Sequence, residues 1–316
     1  MLRPTIHTVS PNDRLWGGSA GLRYKNPKDG ISCPDRDRLF LGGAAPLYNS
    51  GAVQARGLYV QTQYPVIVLP MPGEFQRRQA MSTLLTIPGI MSDVRTWSAV
   101  VENLDLGGVT LHNADLQRDA TIEEMAARAL ADTRGDLIVL AHSMGGRVGI
   151  EMARQAPERI RAMVLANTNT EGLGPDEASH REARIAQANA DMVAYARSWV
   201  PKVISSKSLE KSDLVAQIVA MVEDCPPKVH EQQNRALLVR PDAVDGLQYL
   251  ASPVLLVTGS DDHISTEASN DDVAPRLKDA EVRIVEAAGH LLPFEKPQQL
   301  ASVILDWLSG KGLRPQ

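Results

Sequence analysis

The chain is 316 residues long, 43% hydrophobic and 22% charged, with a formal net charge of −5. That is enough apolar material for one large domain or two modest ones, and the negative balance excludes the basic face of a nucleic-acid binder. Two cysteines, Cys33 and Cys225, sit in no CxxC or zinc-ligand pattern, which excludes a disulfide framework and points to free thiols in a reducing compartment.

Near the N-terminus Arg3 is followed by Pro4, His7 and Pro11 rather than by the apolar run of a signal peptide. The longest apolar stretch nearby, PVIVLPMP at 65–72, is too short and too rich in proline to span a bilayer. A cytoplasmic protein without a membrane span is expected.

The chain changes character at Met81. Residues 1–80 carry ten basic and five acidic residues and eight of the 20 prolines, leaving 23 basic against 33 acidic residues for the rest. Glycine and proline punctuate this segment throughout, and no apolar helical period lasts more than a turn. It reads as irregular, with a possible strand at 58–63 or 66–69. Its basic residues are spread singly, as on a solvated segment.

Beyond Met81 the pattern is regular. Residues 82–87 read as a strand. The helix after it carries Trp97, Val100, Val101 and Leu104 on one face. A second strand is expected at 109–111. Thr121 and Glu124 form a capping box for a helix with Ile122, Met125, Ala126, Ala129 and Leu130 on one face. Further strands are expected at 137–141, 160–166, 254–258 and 282–285, with helices at 144–155, across 176–240, and at the C-terminus around Leu300, Ile304 and Trp307. Apolar strands alternating with helices predict an α/β fold, a mostly parallel sheet flanked by helices on both faces. The long helical stretch interrupts the alternation as an inserted lid would. The expected division is an irregular N-terminal extension at 1–80, a core at 81–171 and 241–316, and a helical lid at 172–240.

The segment LIVLAHSMGGR at 137–147 runs from a buried strand through Ala141-His142-Ser143-Met144-Gly145 into a helix. A small-x-Ser-x-Gly turn of this kind is a nucleophile elbow. The turn is so sharp that bulk two residues either side of the serine would collide with the chain, while Ser143 projects at a helix N-terminus beside the Met144 N–H. A serine can also merely cap a helix; the strand–turn–helix setting favours the nucleophile. A serine hydroxyl needs a base. Of seven histidines, His290 stands in a loop between a strand and the last helix, where it can reach back to Ser143, whereas His142 belongs to the turn itself. The imidazole needs an acid to fix its tautomer. Asp262 and Asp261 both come just after the strand at 254–258; Asp262 is taken, with Asp261 as the alternative. The order Ser143, Asp262, His290 is the order of nucleophile, acid and base in such folds. For developing negative charge, the turn Pro88-Gly89-Ile90-Met91 offers the Ile90 N–H, with Met91 as the alternative, beside that of Met144. Loss of one such donor typically costs roughly 3 kcal/mol of barrier.

The segments LLTIPGIMSDVRTW, LAHSMGGRVGIEMARQAPERI, RAMVLANT, PVLLVTGSDDHIS and AAGHLLPFEKPQQLASVILDWL resemble the α/β-hydrolase superfamily over about 81–308. They look closest to its small-lid branch of carboxylesterases and enol-lactonase-like hydrolases. The resemblance implies that the acid is the aspartate at the head of Asp-His-Ile-Ser-Thr, Asp262, and that the base is the histidine of Gly289-His290, with Glu295-Lys-Pro297 shortly after it. It implies no metal and no organic cofactor. Three features depart from the pattern: Pro88-Gly89 stands where His-Gly is usual, Ala141 where the first elbow glycine is usual, and residues 1–80 hold no recognisable leading hairpin.

The expected activity is cleavage of a carboxylic ester of a small or medium, moderately apolar substrate through an acyl-enzyme. Six of the 13 aromatic residues lie beyond Met81, little material for a large aromatic cleft. A lactonase, a carbon–carbon bond hydrolase or a cofactor-free perhydrolase would use the same residues. A hydrolase-fold binding protein is the reading from a different class. A haloalkane dehalogenase is disfavoured, because it needs a carboxylate where Ser143 stands. The partner is a small ester or lactone; oligomeric state is not legible in the sequence. Met81-Ser-Thr-Leu-Leu resembles the start of some relatives, so residues 1–80 are expected to be an added extension. A chain beginning at Met81 should stay soluble and active; loss of both on truncation would overturn that expectation.

Overall fold

The structure, a computed structural model, describes residues 82–105 and 107–313; the possible strands at 58–63 and 66–69 and Cys33 lie outside the described residues. The chain after Met81 alternates as the apolar pattern demands. It runs β1 (Thr83–Ile87), α1 (Arg95–Glu102), β2 (Thr110–Asn113), α2 (Ile122–Asp132), β3 (Leu137–His142), α3 (Met144–Gln155) and β4 (Ile160–Ala166). After the helices between β4 and β5 come β5 (Val254–Gly259), α9 (Glu267–Val273), β6 (Ala280–Val285), α10 (Leu292–Glu295) and α11 (Pro297–Gly310). All ladders are parallel, in the order β2-β1-β3-β4-β5-β6.

Period-two alternation in the strands divides the core into two layers. Leu85, Ile87, Val139, Ala141, Met163, Leu165 and Leu256 face one side, against Ile122 and Met125 of α2 and Val148 and Met152 of α3. Leu84, Ile138, Leu140, Val164, Leu255 and Val257 face the other, against Trp97 and Val100 of α1 and Leu300, Ile304 and Trp307 of α11. The edges differ from the uniformly buried strands expected from sequence. Leu111 of β2 is 44% exposed, and most of β6 is only half-buried. Among the described residues each of these strands pairs on one side only.

Local capping sets where helices begin. Thr121 Oγ1 accepts from the Glu124 N–H, and the Glu124 carboxylate reaches back to the N–H of Ala120, one residue before the cap. The helical run across 176–240 is broken into α4 (Glu177–Ala190), α5 (Met192–Trp199), α6 (Ser206–Leu209), α7 (Ser212–Glu223) and α8 (Pro227–Leu238). Asp191 has an extended backbone that ends α4, and its carboxylate caps α5 through the Ala194 N–H. Ser205 caps α6, and Pro227 opens α8 at a position where its missing N–H costs nothing. The apolar stripe Ile218, Met221 and Val222 of α7 packs on Met192, Tyr195 and Ala196 of α5 and reaches Met91 and Leu291. Cys225 is buried in this cluster, and burial pushes its thiol up to about 12, so it stays protonated.

β1 lies between β2 and β3, so sheet growth reverses there and leaves a crevice beyond the carboxyl ends of β1 and β3. The register aligns those ends: Ile87 pairs with Ala141, His142 with Ala166, and Gly259 with Val285. Leu85 is fully buried in the centre of β1. Leu85→Ala is expected to cost about 2–5 kcal/mol in denaturant unfolding; a loss below about 0.5 kcal/mol would contradict this packing.

Candidate active site

Ser143 comes directly after β3 with φ 52° and ψ −118°, a conformation that no regular element uses. Its N–H is anchored to the Ala166 carbonyl of β4 at 3.0 Å. The turn closes only because residue 145 is a glycine: a Cβ there would sit 2.4 Å from the Pro88 carbonyl oxygen and 2.6 Å from that of Ile87. β1 itself is therefore the wall that forbids a side chain at this position. Trp97 holds that wall in place, its indole N–H donating to the Ile87 carbonyl at 3.1 Å.

The structure brings the three polar side chains expected from sequence together. Ser143 Oγ lies 2.9 Å from His290 Nε2, and His290 Nδ1 lies 3.0 Å from Asp262 Oδ2. A carboxylate only accepts, so the imidazole carries its proton on Nδ1 and Nε2 is left to accept from the serine hydroxyl. Asp262 is buried and fully hydrogen-bonded: Oδ1 accepts from the N–H groups of Ile264 and Ser265, and Oδ2 from Asn167 Nδ2 at 2.8 Å. Burial alone would raise its carboxyl, but His290, Asn167 and the Ile264 N–H outweigh it and hold the group at about 2. Asp261 is half-buried, and its Oδ1 accepts from the neighbouring Ser260 hydroxyl instead.

Ile90 and Met144 line the same cavity as Ser143 and His290. Met144 opens α3, so its N–H has no partner within the helix. The alternative donor is otherwise engaged: the Met91 N–H donates to Gln233 Oε1 at 2.9 Å.

Three further residues hold these groups and were not singled out for it from sequence. His142 is buried, and burial, together with the nearby His290, lowers it to about 3, so it is neutral. Its Nε2–H donates to the His290 carbonyl at 2.8 Å, tying the main chain of His290 to the turn at Ser143. Asn167, with φ 50°, donates to both Asp262 and the Gly289 carbonyl; asparagine tolerates that backbone better than most residues. Glu295 is buried and accepts from the N–H groups of Gly289 and Leu291, either side of His290, and from that of Ser205 just before α6. The Glu-x-Pro segment was the signal for Glu295; only spatial neighbours reveal His142 and Asn167. Among the described residues no three His, Cys, Asp or Glu side chains are gathered as a metal ion would need.

The cavity has a volume of about 320 Å³, enough for a small molecule. Ile90, Met91, Tyr195, Trp199, Leu237 and Ile264 give it apolar wall. It also contains four arginines, Arg147, Arg181, Arg184 and Arg240, a wall more polar than the aromatic count led us to expect.

The sequence profile of the alpha/beta hydrolase family matches residues 84–303. A pimeloyl-[acyl-carrier protein] methyl ester esterase of Aromatoleum aromaticum is 24% identical over 235 residues, 68% of this chain and 94% of that protein. A thermophilic esterase from Thermogutta terrifontis superposes with a TM-score of 0.63 at 23% identity, over 73% of this chain and 90% of that one. The enol-lactonase from Burkholderia xenovorans gives 0.63 at 19% identity, over 72% and 92%. At those identities the structural likeness establishes the fold alone. No helix among the described residues is long and apolar enough to cross a membrane.

With a folded value of about 2 against an ordinary 3.8, Asp262 contributes stability that is whole above about pH 4 and is lost as pH falls toward 2. Asp262→Asn is therefore expected to flatten the acid limb of the stability–pH curve by about 2 kcal/mol. Parallel curves for the two proteins would contradict the buried, hydrogen-bonded carboxylate.

Proposed function

The chain belongs to the alpha/beta hydrolase family, and from that premise we propose that it is a serine hydrolase that cleaves a carboxylic ester of a small or medium substrate, with Ser143 as nucleophile, His290 as base and Asp262 as the acid that orients it. The observation that carries this reading is the pair of hydrogen bonds, 2.9 and 3.0 Å, that link the three side chains.

Ser143 Oγ attacks the carbonyl carbon as His290 Nε2 takes its proton. Asp262 stabilises the resulting imidazolium through Nδ1 and keeps the ring in the required tautomer. The tetrahedral oxyanion is held by the N–H groups of Ile90 and Met144, at the positive end of α3. Collapse breaks the ester bond, the leaving alkoxide takes the proton from His290, and an acyl-serine remains. Water then attacks that acyl group, giving its proton to His290, and the acid is released as the serine is reprotonated. None of these steps calls for a metal or an organic cofactor.

Residues 172–240 act as a lid over the cavity in this reading; Tyr195, Trp199 and Leu237 contribute wall from that segment. The ties from His290 N–H to the Val203 carbonyl and from Ser205 N–H to Glu295 support a lid coupled to the base's loop. A lactonase would use the same groups on an internal ester. Two cysteines in no disulfide pattern favour a reducing compartment, and the proposed location is cytoplasmic.

A serine-directed fluorophosphonate should label Ser143 stoichiometrically, and Ser143→Ala should lower turnover of p-nitrophenyl esters by on the order of 10⁴–10⁶. No labelling, or near-parental turnover by the variant, would end the proposal. A panel of esters of increasing chain length beside a few lactones assigns the substrate class.

A further inference from the structure

The four arginines of the cavity are unequally satisfied. Arg181 and Arg240 share the carboxylate of Glu177, with contacts of 2.6 and 2.7 Å. Burial tends to raise Glu177, but the two guanidiniums hold it at about 2, so this carboxylate is ionised and already committed. Arg184 is exposed at the rim. Glu171 also lines the cavity, but its carboxylate is exposed and turned toward Asn169. Four cations thus face two carboxylates, one of them turned outward.

Arg147 is the exception among them. It is only 7% exposed and forms no ion pair among the described residues; its one hydrogen bond runs from Nη2 to the carbonyl of Glu171. Its Nη1 is buried without a partner. Burial lowers it to about 9, Arg240 and Arg181 lower it by like charge, and Glu177 and Asp242 act the other way without forming an ion pair with it, so at neutral pH it is still a cation. A buried charge with no carboxylate at salt-bridge distance is costly, and a ligand of opposite sign can offset that cost. Arg147 stands in the first turn of α3, four residues after Ser143, which precedes the helix. Both line the same cavity.

We propose that the cavity selects esters that carry a second, free carboxylate a few carbons from the scissile carbonyl, with Arg147 as its principal partner. This rests on the serine-hydrolase reading above and names its substrate class. The guanidinium presents a planar fork that pairs with a carboxylate through two parallel hydrogen bonds. Such a contact also fixes the direction of the substrate: the charged end lies along α3 and the ester carbonyl falls at Ser143. Monoesters of short dicarboxylic acids have this form.

The test compares kcat/KM for the monomethyl esters of succinate, glutarate and adipate with that for their dimethyl esters, in the parent and in Arg147→Met. The parent should prefer at least one monoester by about tenfold or more, the factor a hydrogen bond to a charged group typically supplies, and Arg147→Met should abolish the preference. The ratio is internal to one sample, so a loss of folded protein, which lowers both rates alike, does not imitate it. Equal or better turnover of the dimethyl esters by the parent, or a preference that survives in Arg147→Met, would overturn the proposal. Free glutarate should also protect Ser143 from fluorophosphonate in the parent and not in Arg147→Met. Labelling that glutarate leaves unchanged, or that inorganic phosphate alone blocks, would overturn the carboxylate assignment while the serine-hydrolase reading stands; a parent that is never labelled fails that reading itself.

Discussion

The parallel register of β1, β3, β4 and β5 is the constraint on which the cavity depends. Because those strands are paired nearly end to end, the loops after Ile87, His142, Ala166 and Gly259 emerge in one row. Ser143, Asn167 and Asp262 stand at the start of three of them. The hydrogen bonds that continue the ladders past the strand ends, Ser143 N–H to Ala166 and Asn167 N–H to Val257, extend the sheet's order into the loops. The contacts of 2.9 and 3.0 Å that join Ser143, His290 and Asp262 are thus set largely by the ends of the central strands.

Strain at Ser143 is offset by this surrounding order. Its backbone lies outside the ordinary wells, and β1 presses against Gly145 from the other side of the turn. Neither feature would persist in an isolated strand–helix unit, because the conformation costs of order 1–3 kcal/mol. His290 is held differently. His290 lies on a loop, and its main chain is fastened by His142, by the Val203 carbonyl and, through its neighbours, by Glu295. Two of those fastenings join the segment at Val203–Ser205 to the loop that carries His290.

Charge in the cavity obeys a separate logic. Glu177 pairs with the two arginines that reach it, while Arg147, in the first turn of α3, forms no ion pair among the described residues. The helix that begins just after Ser143 thus also positions a cation in its first turn.

Element type and order were legible in the residues themselves. The apolar runs that became β1, β3, β4 and β5, and the one-sided helices at Trp97 and Met125, could only be buried in alternating layers, and the elbow at Ser143 announced itself through its small neighbours. The local strand-end setting also singled out Asp262 and His290 as candidates. The resemblance already implied Asp262 over Asp261, but that its carboxylate meets His290 Nδ1 across 28 residues of chain is a contact only the tertiary structure shows. It likewise decided that the Met91 N–H is engaged by Gln233, that β2 lies exposed at an edge, and that Arg147 and Arg240 line one cavity. The physical reason is one of range: periodicity and turn chemistry act over a few residues and are written in the chain, whereas pairing of a charge or an N–H depends on groups that only the closed fold brings within reach.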